Sequence, residues 1–211
     1  MSDLEELTAK VRANFEGRTD KDERIQDALR EGCEELSWED WGALWVIDDS
    51  LTLSSSIDLP SDVEQLLAVL HPETPWYEIE IISPVEGVRI LGSAVRYPAK
   101  CYRVENKLYF PPGVSEEGDK LRILYRRRLQ FDKDGNLNVE KFKHLLVLFA
   151  SAMVFESIEH GTTTANRWWA LYERARDRMQ ESERMSGVKR RIIEEFRGVD
   201  PIIYERDKAW W

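Results

Sequence analysis

The sequence predicts an α+β protein: a helical bundle formed by N- and C-terminal helices, a β-rich insertion of meander and hairpin type, and an extended C-terminal tail. Three observations predict it. Apolar residues recur at helical spacing near both ends, as Leu4, Leu7, Val11 and Phe15 and as Trp168, Tyr172, Ala175 and Met179. Between them the pattern changes to alternation and turn residues, as in LTLSSSIDLPSDV and CYRVENKLYF. After Gly187 a basic amphipathic turn, VKRRIIEEF, leads into GVDPIIYERDKAWW. The expected division is a helical body over residues 1–37 and 136–187, a β-rich insertion over 38–135, and a helix turn with a tail over 188–211.

Taken in order, the first helix is capped by Ser2 or Asp3 and stopped by Gly17. The second begins after Thr19 and carries Ile25, Leu29, Cys33 and Leu36 on one stripe. The short link GRTD makes the two an antiparallel pair. From Ser37 the tryptophans at 38, 41 and 45 open a region of short strands and turns. Residues 57–59 read as an extended arm entering a turn at Pro60-Ser61-Asp62, and residues 64–70 as a strand. In CYRVENKLYF a loop of Glu105-Asn106-Lys107 sets Tyr102 opposite Phe110 and Val104 opposite Leu108. Pro111-Pro112 ends that ladder, and KLRILYRRR returns as the third strand of a meander. On that strand Leu121, Ile123 and Tyr125 face one way, and Arg122, Leu124 and Arg126 the other. Residues 139–159 form a helix that is apolar around most of its circumference and therefore central, with Phe142, Leu145, Leu146, Phe149, Met153 and Ile158 inward. Gly161 ends it, Thr162 to Thr164 cap the last long helix, and Gly187 breaks that one.

Composition narrows the function. The chain has 211 residues and a formal net charge of -10. Residues 1–60 hold 16 acidic and 6 basic side chains, so the whole excess sits there and the remainder is balanced. A surface that grips nucleic acid usually shows a basic face, and this distribution counts against tight DNA binding. No apolar run reaches the ~20 residues of a membrane span, and the acidic, amphipathic start is not expected to be a secretion signal. Cys33 and Cys101 read as buried thiols of a reducing compartment rather than a disulfide.

No catalytic constellation is evident. FDKDGNLNVEK places Asp132, Asp134 and Asn136 at the first ligand positions of a calcium loop, but Leu137 takes the glycine position and Lys143 that of the bidentate glutamate. The expected reading is a polar turn with Asp134-Gly135 at its tip and Asn136 or Asn138 capping the next helix. His71, His144 and His160 lack metal spacing, and His144 reads as a core or boundary residue. Glu34-Glu35 and Asp48-Asp49 read as solvated charge. No cofactor, metal site or enzymatic activity is expected. Two features stay unabsorbed: the fork Arg126-Arg127-Arg128, and an aromatic, apolar tail with Ile202, Ile203, Tyr204, Trp210 and Trp211, which either folds back on its own subunit or docks on another chain. Trp168 and Trp169, about 100° apart on a helix, are not expected to face one core together.

The order of paired N-terminal helices, Leu59-Pro60-Ser61-Asp62, then LYFPP over residues 108–112 and the strand 121–126, a polar turn, an apolar helix and a W-x-x-x-Y helix (Trp168, Tyr172) resembles the adaptor proteins of tailed bacteriophages, also called head-to-tail connector or head completion proteins. The resemblance covers roughly residues 20–180. It implies a structural, non-enzymatic virion protein of the neck, present in the host cytoplasm during assembly. It implies a ring, commonly of twelve subunits, that sits under the portal, extends the DNA channel and presents a platform to the next tail or stopper protein. Its partners would be the portal, further copies of itself and the passing genome, which it does not bind specifically, and no membrane. The family's C-terminal segment often reaches the portal, which gives the aromatic tail an expected role as a dock. The arginine fork is then expected either to protect a sheet edge by charge or to meet acidic groups of an adjacent subunit or the portal. Two other readings stay open. One is a nucleic-acid-binding helical protein using Arg126 to Arg128 and Lys189 to Arg191. The other is a tail terminator or stopper, usually smaller and richer in strand.

Overall fold

A computed structural model describes residues 1–15, 17, 19–71, 77–89, 100–110, 120–159 and 163–196. The architecture is α+β, with six α-helices and a seven-stranded sheet among these residues. The chain forms two compact units. One comprises Met1–Leu44 with Arg128–Val188, the other Trp45–Arg127 with the residues from Lys189 onward.

The first unit is helical. Helix α1 (Asp3–Ala13) opens with a capping box, in which the Ser2 hydroxyl accepts the Glu5 N–H and the Glu5 carboxylate accepts the Ser2 N–H. Helix α2 (Asp22–Trp38) buries Ile25, Leu29, Cys33 and Leu36, as its stripe predicts. Helix α4 (Lys143–Glu159) packs against α1, α2 and α5 (Thr163–Ser186), which explains an apolar surface on nearly every side. The close crossing of α2 and α4 depends on Gly32, where a Cβ would stand 2.9 Å from the Phe149 ring. Gly187 ends α5 with φ +61°. The stop at Gly161 and the position of the Ile158 side chain lie outside what is described.

Several expectations for this unit change. Trp38 ends α2 instead of opening a strand region, and Trp41 sits 1% exposed against the Phe142 ring, 5.5 Å away and edge-on. Only Trp45 begins a strand. Both Trp168 and Trp169 pack on the same core: their rings stack on Phe155 and meet Phe149 edge-on, respectively. Large rings at the flanks of the buried stripe reach inward although their Cα–Cβ bonds diverge. His144 is exposed, because the apolar neighbours Leu145 and Leu146 take the inward positions.

The second unit is built on the sheet, in the order β1-β7-β3-β4-β5-β6-β2. Its strands are β1 (Trp45–Thr52), β2 (Ser56–Asp58), β3 (Val63–His71), β4 (Tyr77–Ile82), β5 (Lys100–Val104), β6 (Lys107–Tyr109) and β7 (Lys120–Arg127). All pairs are antiparallel except β4 with β5. Flat, seven strands about 4.8 Å apart would hold β1 and β2 roughly 29 Å from each other. Only Leu53, Ser54 and Ser55 join them, a reach of about 14 Å. The sheet must therefore curl. Its inner face collects Leu53, Ile57, Val69, Ile79, Cys101, Leu108, Leu121 and Ile123, contributed by six strands and a linker. Helix α3 (Pro84–Arg89) packs against β5, and α6 (Val188–Phe196) covers the other face through Phe196 and Ile192 against Leu70 and Leu124.

Two sequence expectations fail here. The β5–β6 hairpin pairs Tyr102 with Tyr109 and Val104 with Lys107. The turn holds only Glu105 and Asn106, and Glu105 takes φ +52°, so the register moves by one residue. The meander does not form either. Strand β7 inserts between β1 and β3, while β6 pairs with β5 and β2. Hydrophobic alternation specifies which face is inward but not which strand lies alongside.

Cys33 and Cys101 are free, 3% and 0% exposed. Burial pushes both thiols up to about 12.

Candidate functional site

The residues singled out in the sequence fall into three places. The first joins the two most specific motifs. Strand β2 pairs with β6 as Ser56 with Tyr109, Ile57 with Leu108 and Asp58 with Lys107. Just beyond, the Leu59 N–H donates to the Asn106 carbonyl at 2.9 Å, and Asn106 Nδ2 donates to the Leu59 carbonyl at 2.7 Å. Pro60 accepts the Val63 N–H at 3.1 Å, closing the expected turn. The LPSD turn and the LYF strand are therefore one structure. The prolines at 111 and 112 lie outside the described residues.

The second place is the arginine fork. Arg126 and Arg127 end β7, and Arg128 begins the return to the helical unit. Strand β7 has a neighbour on each side, so the fork protects no sheet edge. Arg126 faces Glu64 with 3.8 Å between Nη2 and Oε2, and both side chains are about one-sixth exposed. Arg103, from β5, donates to the carbonyls of Val63 at 3.0 Å and Glu64 at 3.1 Å. Guanidinium groups thus gather around the start of β3. The Nε atoms of Arg126 and Arg127 are buried without a hydrogen-bond partner among the described residues. Tyr125, beside them, carries a phenol pushed up to about 12 by burial and then by the charge of Asp62. Arg128 is exposed.

The third place is the aromatic tail. Ile202, Ile203, Tyr204, Trp210 and Trp211 lie outside the described residues. The helix before them is well held. Arg122 grips Asp49 with two hydrogen bonds, at 2.6 and 2.8 Å, and donates to the carbonyls of Glu195 and Phe196 at 3.2 and 3.3 Å. It thereby satisfies terminal acceptors of α6. Sequence reading missed this contact, since Arg122 and Phe196 are joined only by the sheet. Of the basic triplet at 189–191, Lys189 lies 5.4 Å over the Trp45 ring and Arg190 pairs with Glu194 at 2.7 Å.

The calcium-like loop is structural. The Asp132 carboxylate accepts the backbone N–H groups of Asp134 and Asn136 at 2.9 and 2.8 Å. Those bonds, led by that of Asn136, hold its carboxyl below the usual range. Gly135 turns at φ +80°, where a Cβ would also meet Ser2. The loop then anchors α1. Leu4 N–H donates to the Gly135 carbonyl at 2.9 Å, and the Asp3 carboxylate accepts Leu137 N–H at 2.9 Å and Lys143 Nζ at 2.6 Å. Asn138 caps no helix. Its side chain accepts Gln130 N–H and donates to the Arg128 carbonyl. Among the described residues no group of three or more His, Cys, Asp or Glu is placed to hold a metal ion, and no helix is long and apolar enough to cross a membrane.

The features that distinguish this sequence build turns, strand pairs and caps of an α+β protein. A protein-family model described as SU10 adaptor protein matches residues 2–192, and the chain belongs to that family. It is a phage adaptor, a structural component of the virion that associates with other head or tail proteins. No curated protein matches the chain.

Proposed function

We propose that this chain is the repeating subunit of a ring that binds beneath the portal of a DNA-filled head. The ring extends the channel and gives the next tail component its attachment platform. The observation that carries this reading is the family match, which spans both the helical and the β unit. Copies of one chain related by rotation meet head to tail, so two different surfaces of the subunit must be complementary. The acidic N-terminal third and the arginine fork are one such pair, with the exposed Arg128 leading and Arg126 already engaged by Glu64. The aromatic tail is the second contact, directed at the portal.

Mass measurement of the full chain alone and with portal-bearing heads tests the ring. A neck whose density under the portal belongs to another gene product would overturn it. Charge reversal at Arg126, Arg127 and Arg128 together should weaken assembly more at low salt than at high salt; equal assembly at every salt removes the fork from the interface. Deletion of residues 199–211 should leave a folded subunit that no longer joins heads, and retained attachment would remove the tail from portal docking.

A further inference from the structure

Two helices of the helical unit carry solvent-facing stripes that match each other in spacing and oppose each other in charge. On α2, Asp27, Glu31, Glu34 and Trp38 follow one another at intervals of four, three and four residues. All four are exposed, and Trp38 is 77% exposed, a large aromatic side chain left in water. On α5, Arg167, Leu171, Arg174 and Arg178 follow at the same intervals, all exposed. Each stripe runs along the far side of its helix from the buried one, about 16 Å in length at 1.5 Å per residue. Asp27 reaches Arg30 at 3.4 Å. Glu31, Glu34, Arg167, Arg174 and Arg178 make no ion pair among the described residues.

A charged helix face is ordinarily just solvated, and single surface pairs contribute little. Two features separate these stripes from that case. Each includes an exposed apolar side chain on its line of charges, and each spacing is the one by which helices interlock. Laid together in either direction, the stripes oppose Asp27 with an arginine and place Trp38 against an arginine, where a guanidinium stacks well on an indole.

We propose that the α2 stripe of one copy docks on the α5 stripe of the next, a further repeated contact of the assembly beside that of the arginine fork. The occupant is a second copy of this chain, chosen by charge and by matched spacing. A contact between two different surfaces either repeats head to tail around a ring or is made reciprocally by two copies, and the ring reading selects the first. This inference rests on the ring reading and adds the surfaces that build it.

The test replaces Trp38 with a photo-reactive benzoylphenylalanine in the full chain, assembled onto portal-bearing heads and irradiated. Cross-links from position 38 to peptides of Thr163–Ser186 in another copy are expected. Copy-to-copy cross-links that avoid α5 overturn the pairing and leave the ring standing. If no copy-to-copy link forms and mass measurement finds one copy per head, both fall. Independently, Glu31→Arg with Glu34→Arg should lower incorporation into heads about tenfold or more, since like charges then face each other. Adding Arg174→Glu, which faces position 34 in one direction and position 31 in the other, should restore it. The exposed positions leave the subunit's own fold intact, which circular dichroism checks. Unchanged incorporation of the first variant, or no rescue by the second, overturns the pairing.

Discussion

The two units seal their irregular backbone with opposite charges. In the helical unit the sealing groups are carboxylates that accept N–H bonds. Glu183, 7% exposed, accepts from Gly42 at 2.7 Å, from Ala43 at 3.2 Å and from Lys141 Nζ at 2.9 Å. Asp3 and Asp132 act likewise toward the loop before α4. In the β unit Asp48 accepts the Ser50 N–H locally, but the groups that seal distant backbone are guanidiniums that donate to carbonyls: Arg103 to Val63 and Glu64, and Arg122 to the end of α6. The difference teaches that each unit uses the charge its loose ends require. Helical turns opening toward their N-termini expose donors, whereas strand starts and a helix C-terminus expose acceptors.

The largest effect tests whether the units are separate in stability. Phe142→Ala removes a fully buried ring from the helical core and should cost about 3–5 kcal/mol in urea unfolding. Hydrogen exchange should then accelerate in α2, α4 and α5 while β3 and β7 keep their protection. Equal acceleration everywhere would make the two units one cooperative body. Next come the sealing charges. Glu183→Ala strands two backbone N–H groups and should cost about 2–3 kcal/mol in the same assay, whereas Arg103→Met, at a wetter site, should cost about 1 kcal/mol. A reversed order would break the contrast.

Acid separates the units by a different route. The Lys143 ammonium, and then the Leu137 N–H, hold the Asp3 carboxyl below its usual value. A depressed carboxylate stabilises the fold fully above its unfolded pKa, and the stabilisation is lost as pH falls through the folded value. Protection of α1 against exchange should therefore decline below about pH 4, and Asp3→Asn should flatten that decline. The carbonyl contacts of Arg103 bring no such dependence. The smallest effect is Trp38→Ala, which should change the stability of the isolated subunit by no more than about 0.5 kcal/mol, since the indole is exposed.

The helices were legible because their signals are local. Ser2 and Gly17 mark ends, and Leu7, Val11, Leu29 and Cys33 mark faces, all within a few residues of what they determine. The inward face of β7 was legible for the same reason. What escaped was long-range. Nothing near Leu121 indicates that β7 lies between β1 and β3, and nothing near Arg122 indicates that it caps a helix more than seventy residues on. The hairpin register turned on a single backbone angle at Glu105, which residue type alone does not fix. Of the functional candidates, Leu59 and Leu108 were recognised as motif members, but their shared ladder became visible only in three dimensions.

The two thiols have a practical corollary. Each is sealed in a core and held protonated, so neither offers the thiolate that maleimides and oxidants attack. These are the chain's only two cysteines. A fluorophore or spin label attached through one cysteine introduced on the outer face of α2 or α5 would mark that position alone, with the natural residues left in place.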